Sequence, residues 1–435
     1  MPLLRCGLVG CGTVGSGVVR LWAQPGQADG VALTTVAVRD PHKPRAVDLG
    51  ALRVTGDAAA LVRDPAVDLV IEATGDTELG RALAVETLAR GKPFVTAGKA
   101  LVVRYGEELE QLAHAHGTAF LYEAAAGGAL PIVALLRLSL SPGPARGFEA
   151  VLSGTCNFVL TRLAEGVAYE EALAQAREAG LAEPDSTRDT SGQDAAEKLL
   201  LLARLLGVRL DGERLPRRGI EGLGPHDAVF ARRRGLALRL VARLRLHDDG
   251  AEAWLAPVLV PAHSPLAQAR DEQNVVVLDA GAAGQVALSG PGAGSLPTAA
   301  AILADVRELA RSFPRSRAAA PRPTRALPLL ADERPRRHYV TVCGSRGARE
   351  AALRALAAEG VQVKEVETPW RGRVQGLTAP AAPASVARAL QGLENALAVA
   401  IHDEADDAAL SGPDYRRWGF MEPVLPIARS SAKSA

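Results

Sequence analysis

Residues 10 to 15 read Gly10-Cys-Gly12-Thr13-Val14-Gly15, set between an apolar run, Arg5 to Val9, and an apolar-periodic run, Val14 to Trp22. No other stretch constrains the fold so tightly. Glycines at this spacing let a strand turn sharply into a helix, let the turn's backbone approach a bulky anion, and let the helix pack closely on the strand. The helix start offers free N–H groups and the positive end of its dipole. A strand before and a helix after make the short glycine pattern a dinucleotide-binding turn. The segment therefore predicts a site for the pyrophosphate of a nicotinamide dinucleotide, with Gly10, Gly12, Thr13, Val14 and Gly15 as its contacts.

The chain continues in the same idiom. Apolar runs at Leu33 to Val38, Asp68 to Ala73, Pro93 to Thr96 and Ala119 to Tyr122 alternate with helical patterns, which is the signature of a parallel sheet with crossover helices. The second strand runs into Arg39 and Asp40, with Lys43 close behind. An acidic group there would favour the free ribose hydroxyl of NAD, whereas Arg39 and Lys43 suit the 2′-phosphate of NADP, so the reading leans to NADP(H) with NAD(H) as the other candidate. Glu72-Ala-Thr74-Gly75 and Thr96-Ala-Gly98-Lys99 each end an apolar strand. Ligands of open α/β sheets lie beyond the carboxyl ends of the strands, which places Thr74, Gly75 and Lys99 at the cofactor.

The character changes at about residue 131. A helix from Pro131 to Leu138, a strand-like run Phe148 to Leu152 and helices at Asn157 to Leu163, Tyr169 to Ala179 and Ala195 to Leu206 precede strand-like runs at Trp254 to Val260, Asn274 to Leu278 and Gln285 to Leu288. This pattern is an α+β domain with a mixed sheet under helices. Residues 312–337 are rich in Pro, Arg and Ala and read as a linker. Residues 338–435 then spell strand, helix, strand, strand, helix, strand, a ferredoxin-like order, followed by a tail. The expected fold class is thus α/β: a Rossmann-type parallel sheet, an α+β domain and a C-terminal ferredoxin-like module.

Bulk properties narrow the partners. A net charge of +1 over 435 residues gives no electrostatic reason to expect nucleic acid or an anionic membrane. No apolar run approaches the roughly 20 residues that span a bilayer. Cys6, Cys11, Cys156 and Cys343 are scattered without metal or redox spacing, which suits a reducing cytoplasm and a small-molecule partner. His114 and His116 read as exposed helix residues.

The densest polar cluster runs from Glu183 through Asp185, Asp189 and Asp194 to Lys198. Asp194 and Lys198, four residues apart at a helix start, share one face. Leu199 to Leu202 are apolar all round the helix, so Lys198 borders a buried segment, where desolvation would lower its pKa as an acid/base lysine requires. Several carboxylates on the preceding loop could hold an ammonium group. A solvated loop with a surface ion pair is the alternative reading of the same residues.

Taken together, these segments resemble the homoserine dehydrogenases, from residue 1 to about 311. The likeness is carried by Val38-Arg39-Asp40, Thr96-Ala-Gly-Lys99-Ala-Leu, Tyr122-Glu123-Ala-Ala-Ala-Gly-Gly, Ser153-Gly-Thr-Cys-Asn157-Phe, the Glu183 to Lys198 cluster, and Gly290-Pro-Gly292-Ala-Gly294 with Pro297-Thr298-Ala299. The resemblance implies reversible NAD(P)H-dependent reduction of L-aspartate 4-semialdehyde to L-homoserine. Lys198 would exchange the proton with the substrate oxygen and Lys99 would assist at the reacting carbon. Glu183, Asp194, Asp189, Asp185 and Thr155 would form the substrate site, and Gly292 would close over the nicotinamide. A structural monovalent cation would lie near Glu123, Ala126, Gly128 and Leu130. Residues 1–130, completed by about 295–311, would form the dinucleotide-binding domain. Residues 131–294 would bind substrate and build a homodimer or homotetramer.

Three positions depart from the family's pattern: Gly98 and Ser153 stand where it usually has Asn, and Asp76 where it has a second glycine. The C-terminal module is similar to an ACT-type regulatory domain in element order, but Gly344-Ser-Arg-Gly-Ala lacks that domain's acidic and proline signature, so threonine inhibition is not implied. A catalytically silent dinucleotide sensor is the competing function; the presence of both Lys99 and Lys198 favours an enzyme.

Overall fold

The computed structural model describes residues 3–24, 30–138, 145–281, 284–312, 324–367, 373–391, 393 and 396–402. The expected tail and residues 313–323 of the expected linker lie outside these residues. Six strands form the first sheet: β1 (Leu4–Val9), β2 (Val31–Ala37), β3 (Arg53–Thr55), β4 (Leu69–Glu72), β5 (Phe94–Thr96) and β6 (Phe120–Leu121). Every pairing is parallel, in the order β3-β2-β1-β4-β5-β6. Buried on both faces, β1 and β4 are apolar apart from Arg5 and the terminal Glu72, rather than alternating apolar with polar residues. Helices α1 (Thr13–Trp22), α2 (Ala58–Arg63), α3 (Thr77–Ala89) and α4 (Lys99–Ala115) make the crossovers. Strand order reverses between β1 and β4, and the crevice at their carboxyl ends is where such a sheet takes a ligand.

The second region contains α5 (Glu123–Gly127), α6 (Ile132–Leu138), β7 (Gly147–Val151), α7 (Gly154–Ala164), α8 (Tyr169–Glu178), α9 (Thr187–Thr190), α10 (Gln193–Leu205), β8 (Val208–Arg209), α11 (Pro225–Arg233), β9 (Leu236–Leu246), β10 (Ala251–Pro261), β11 (Gln273–Asp279) and β12 (Gln285–Pro291). Its main strands pair antiparallel in the order β12-β11-β7-β9-β10. The central strand β9 alternates apolar residues with Ala and Arg. Leu238, Leu240, Ala242 and Leu244 enter the core beneath the helices, while Arg239 and Arg243 are buried on the opposite face.

Helix α12 (Ser295–Ser312) returns to the first sheet. Its Ala299, Ile302, Val306 and Leu309 share a core with Leu4, Leu8, Val18 and Ile71. After β13 (Arg325–Ala326) and β14 (Leu329–Leu330) come β15 (His338–Cys343), α13 (Arg346–Ala358), β16 (Val363–Glu367), β17 (Arg373–Thr378), α14 (Pro383–Leu390) and β18 (Ala396–Ile401). Their antiparallel order β18-β15-β17-β16 is ferredoxin-like. This module shares a sheet with the second region: β18 pairs parallel with β10 through Val258 with Ala400 and Leu259 with Ile401. The ten-stranded sheet that results is therefore mixed. Among the described residues, no helix is long and apolar enough to cross a membrane.

Helix α1 carries a further glycine, Gly17, at the crossing with α12. A Cβ there would lie 2.5 Å from the Ser295 carbonyl oxygen and 2.7 Å from its hydroxyl. A backbone oxygen at a helix start cannot swing aside, so Gly17→Ala is expected to cost about 1–3 kcal/mol of stability. Urea unfolding measures this, and an unchanged midpoint would mean that α12 can shift on α1 at no cost.

Candidate active site

The mouth of α1 comes first along the chain. Gly10 turns there with φ +93°, a region that only glycine enters easily, and its Cα faces the Ala73 carbonyl too closely for any Cβ. The helix has no side-chain cap at Gly12, and the space where a Cβ of Gly12 would point is open for 4 Å. The first-turn N–H groups of Thr13, Val14 and Gly15 therefore face an open cradle, which fits a pyrophosphate. On the flank of the same turn, Ser295 Oγ donates to the Thr13 carbonyl at 2.6 Å, which seats the start of α12 on α1. Three residues before Ser295, Gly292 just past the end of β12 is buried between Asn274 and the Gly128 turn.

Arg39 and Lys43 follow β2 on an exposed loop beside β1. Arg45 shapes that loop by donating to the Asp40, Lys43 and Pro41 carbonyls, while the Asp40 carboxylate accepts from the His42 amide at 2.9 Å. Thr74 and Gly75 occupy the tip of β4, and Lys99 is the first residue of α4 beyond β5.

The tightest cluster lies where α4 meets α10. The Lys99 ammonium is ion-paired with Asp194 Oδ1, while Lys198 Nζ lies 3.0 Å from Asp194 Oδ2 and donates to the Leu152 carbonyl at 2.6 Å. One carboxylate is thus shared by two ammonium groups from different regions of the chain. Farther along both helices, Arg204 of α10 donates to Glu110 of α4 at 2.7 Å, so the two helices run side by side in the same direction. Lys198 is 6% exposed. Burial lowers its pKa and Lys99 lowers it further, while Asp194 opposes both. Asp194, though largely buried, is held well below the usual carboxylate range by the two lysines.

Asp189, on the short helix α9, has its pKa raised chiefly by burial. The Thr155 hydroxyl lies 3.0 Å from the Asp189 carboxylate and 2.7 Å from the Leu181 carbonyl. Glu183 and Asp185 are exposed on the turn before α9, where Asp185 accepts from the Thr187 amide at 3.1 Å. The structure thus joins Lys99, Asp194 and Lys198 directly, sets Asp189 and Thr155 beside them, and leaves Glu183 and Asp185 on the rim.

The expected cation loop is α5 and the turn after it. The Glu123 carboxylate there accepts from the Val133 and Ala134 amides at 2.8 and 2.7 Å, capping α6, and the Leu130 carbonyl accepts from the Ile132 amide at 2.8 Å. Among the described residues no group of three or more His, Cys, Asp or Glu could hold a metal ion; Ala126 and Gly128 could contribute only main-chain oxygens.

Each departure from the family's pattern has a local role. Asp76 caps α3 through the Leu79 amide at 3.0 Å, and Ser153 caps α7 through the Cys156 amide at 3.2 Å. At Gly98 a Cβ would press on Thr96 Oγ1 and Glu72 Oε2 at 3.1 and 3.2 Å. Glu72, at the tip of β4, has no role that the sequence alone reveals. Its signal was a carboxylate closing an apolar strand, and the structure shows it buried.

Comparisons agree with this architecture. The family model for homoserine dehydrogenase matches residues 131–306, and the model for the NAD-binding domain of homoserine dehydrogenase matches residues 10–123. The homoserine dehydrogenase of Synechocystis is 36% identical over 313 residues, covering 70% of this chain and 72% of the relative. That of Bacillus subtilis is 36% identical over 316 residues, with 70% and 72% covered. A crystal structure of a homoserine dehydrogenase from Thiobacillus denitrificans superposes with a TM-score of 0.81 at 29% identity, covering 93% of this chain and 99% of that one. A hyperthermophilic archaeal homoserine dehydrogenase in complex with NADPH shares the fold at 22% identity and a TM-score of 0.60, covering 73% of this chain and 99% of its own. The chain belongs to the homoserine dehydrogenases, NAD(P)-dependent oxidoreductases acting on a CH–OH group.

Proposed function

We propose that Lys198 is the acid/base group of homoserine dehydrogenation in this chain and that NADP(H) is the preferred cofactor. The sharing of Asp194 between Lys99 and Lys198 carries the first part. An ammonium has three N–H bonds; Lys198 directs one to Leu152 and one to Asp194, which leaves one for a substrate oxygen. A reduced nicotinamide dinucleotide held by the Gly10 to Gly15 turn would supply the hydride for the aldehyde carbon of aspartate 4-semialdehyde. Lys198 stabilises the charge that builds on oxygen and then donates its proton, and in the reverse direction the neutral amine accepts it. Lys99 adds a second positive charge near the reacting carbon. Glu183 and Asp194 supply negative charge for the substrate ammonium, with Asp189, Thr155 and Asp185 supporting that end.

Gly10, Gly12, Thr13, Val14 and Gly15 would hold the pyrophosphate, Thr74, Gly75 and Gly292 the nicotinamide end, and Arg39 with Lys43 a 2′-phosphate. Any structural monovalent cation would sit on main-chain oxygens around Ala126, Gly128 and Leu130, beside Glu123. The reading includes a homodimer or homotetramer and a cytoplasmic setting, in keeping with four free cysteines.

Purified protein is expected to oxidise NADPH in the presence of aspartate semialdehyde; no turnover with NADPH or NADH would overturn the reading. Lys198→Met is expected to lower kcat by roughly 100-fold or more, and retained activity would remove Lys198 from its role. Arg39→Ser should raise KM for NADPH by about 10-fold while moving that for NADH less, because a charge-assisted pair is lost to one cofactor only. Equal changes for both would count against the phosphate assignment.

Burial of Lys198 also couples to stability. Its native pKa lies below the unfolded value of about 10.4, so the destabilisation is fully present below the native pKa and fades as pH rises towards the unfolded one. Wild type should therefore gain stability relative to Lys198→Met as pH is raised from neutral to about 10. Parallel urea midpoints across that range would show that Lys198 titrates normally.

A further inference from the structure

We propose that Glu72 is a positioning residue for the reaction: its single carboxylate ties the tips of β4 and β5 together and so sets Lys99 over Asp194. The inference rests on the roles proposed above for Lys99 and Lys198.

Glu72 ends β4, pairs in register with Thr96 at the end of β5, and is 1% exposed. Its Oε1 accepts from both the amide and the hydroxyl of Thr74 at 2.6 Å, and its Oε2 accepts from the Thr96 hydroxyl at 2.5 Å. Each hydroxyl passes the link onward: Thr74 Oγ1 accepts from the Asp76 amide at 3.1 Å, and Thr96 Oγ1 from the Gly98 amide at 2.9 Å. Asp76 and Gly98 are the caps of α3 and α4, and Lys99 is the first residue of α4. One buried carboxylate therefore fixes the turn that holds Thr74 and Gly75 and the turn that launches Lys99. Burying a carboxylate is costly unless its oxygens are satisfied, and here all three donors come from the two strand tips. The bare Gly98 leaves room for this arrangement, since Glu72 Oε2 and Thr96 Oγ1 occupy the space beside its Cα.

Loosening the Thr96 branch lets Lys99 drift from Asp194. Among the described residues, the charged groups that bear on Lys198 are Asp194 from its own helix, Lys99 from α4 and Asp189 from α9. Moving Lys99 away removes a repulsion and returns Asp194 to Lys198 alone, so the Lys198 ammonium should titrate higher. A purely structural role would lower the melting temperature and leave that titration in place.

The chain has six lysines, at positions 43, 92, 99, 198, 364 and 433, so 15N-lysine labelling gives a sparse spectrum in which the Lys198 ammonium of the whole protein can be titrated. Glu72→Gln and Thr96→Val should each raise its midpoint by about 0.5 pH unit or more, and the double variant should go no further than the larger single change. Thr96→Val should lower kcat several-fold with a smaller change in cofactor KM, whereas Glu72→Gln, which touches both branches, should lower kcat and raise cofactor KM. Thr74→Ala, on the other branch, should raise cofactor KM and leave the Lys198 midpoint unmoved. If Glu72→Gln does not fold, Thr96→Val decides alone. An unmoved midpoint in the folded variants overturns the inference. Wild type that fails to reduce aspartate semialdehyde overturns the functional reading instead, and the titration still decides whether Glu72 positions Lys99.

Discussion

The carboxylate of Asp194, held between Lys99 and Lys198, is the contact on which the arrangement of this enzyme turns. Lys99 belongs to the parallel-sheet region and Lys198 to the α+β region, so the ion pair is also a point where the two regions meet. Two ammonium groups near each other are unfavourable in a partly buried place unless a charge lies between them. Asp194 supplies that charge and opposes the fall in the Lys198 pKa that burial and Lys99 produce. The pairing of Arg204 with Glu110 farther along the same helices keeps α4 and α10 in register, so the geometry at the site is set by helix packing as well as by the three charges.

Much of this was legible in the sequence because it depends on local chemistry. The glycine turn, the alternation of strand and helix up to residue 130 and the element order of the ferredoxin-like module are written in short windows, where periodicity and glycine placement carry the signal. The pairing of Asp194 with Lys198 is visible from their spacing on one helix. Its second half is not: Lys99 is 95 residues away, and nothing local says that α4 will lie along α10. Glu72 is a similar case, since a carboxylate at the end of an apolar strand shows its purpose only when the neighbouring strand places Thr96 against it.

Strand β9 was not among the expected strands, and the reason is physical. Its arginines at 239, 243 and 245 interrupt an apolar run and suggest solvent, yet Arg239 and Arg243 are buried. Arg243 pairs with Glu149 of β7 at 2.9 Å, and Arg239 donates to the carbonyls of Leu238 and Ala267. A buried arginine becomes tolerable through partners that the sequence brings from far along the chain. In a chain with six lysines among its 50 basic residues, arginine is also a poor marker of surface, because it fills structural positions as readily as exposed ones.

The same reasoning bears on the C-terminal module. Element order suggests a unit joined by a linker, but the contacts across the seam are buried and polar. Strand β18 extends β10, Arg218 donates to the Ala398 carbonyl at 2.6 Å, and the buried Asp227 of α11 accepts from the Tyr339 hydroxyl at 2.5 Å. On the other face of the sheet, Glu149 lies 2.9 Å from His402, just beyond β18. Removing one side of such contacts leaves unpaired groups in the interior, which costs more than the contacts contribute when made. Arg218 lies in the segment whose Ile220 amide donates to the Thr190 carbonyl at the end of α9, one residue from Asp189. The module is therefore built into the enzyme's core, and the placement of the short helix that carries Asp189 depends in part on strands that follow it by some two hundred residues in the chain.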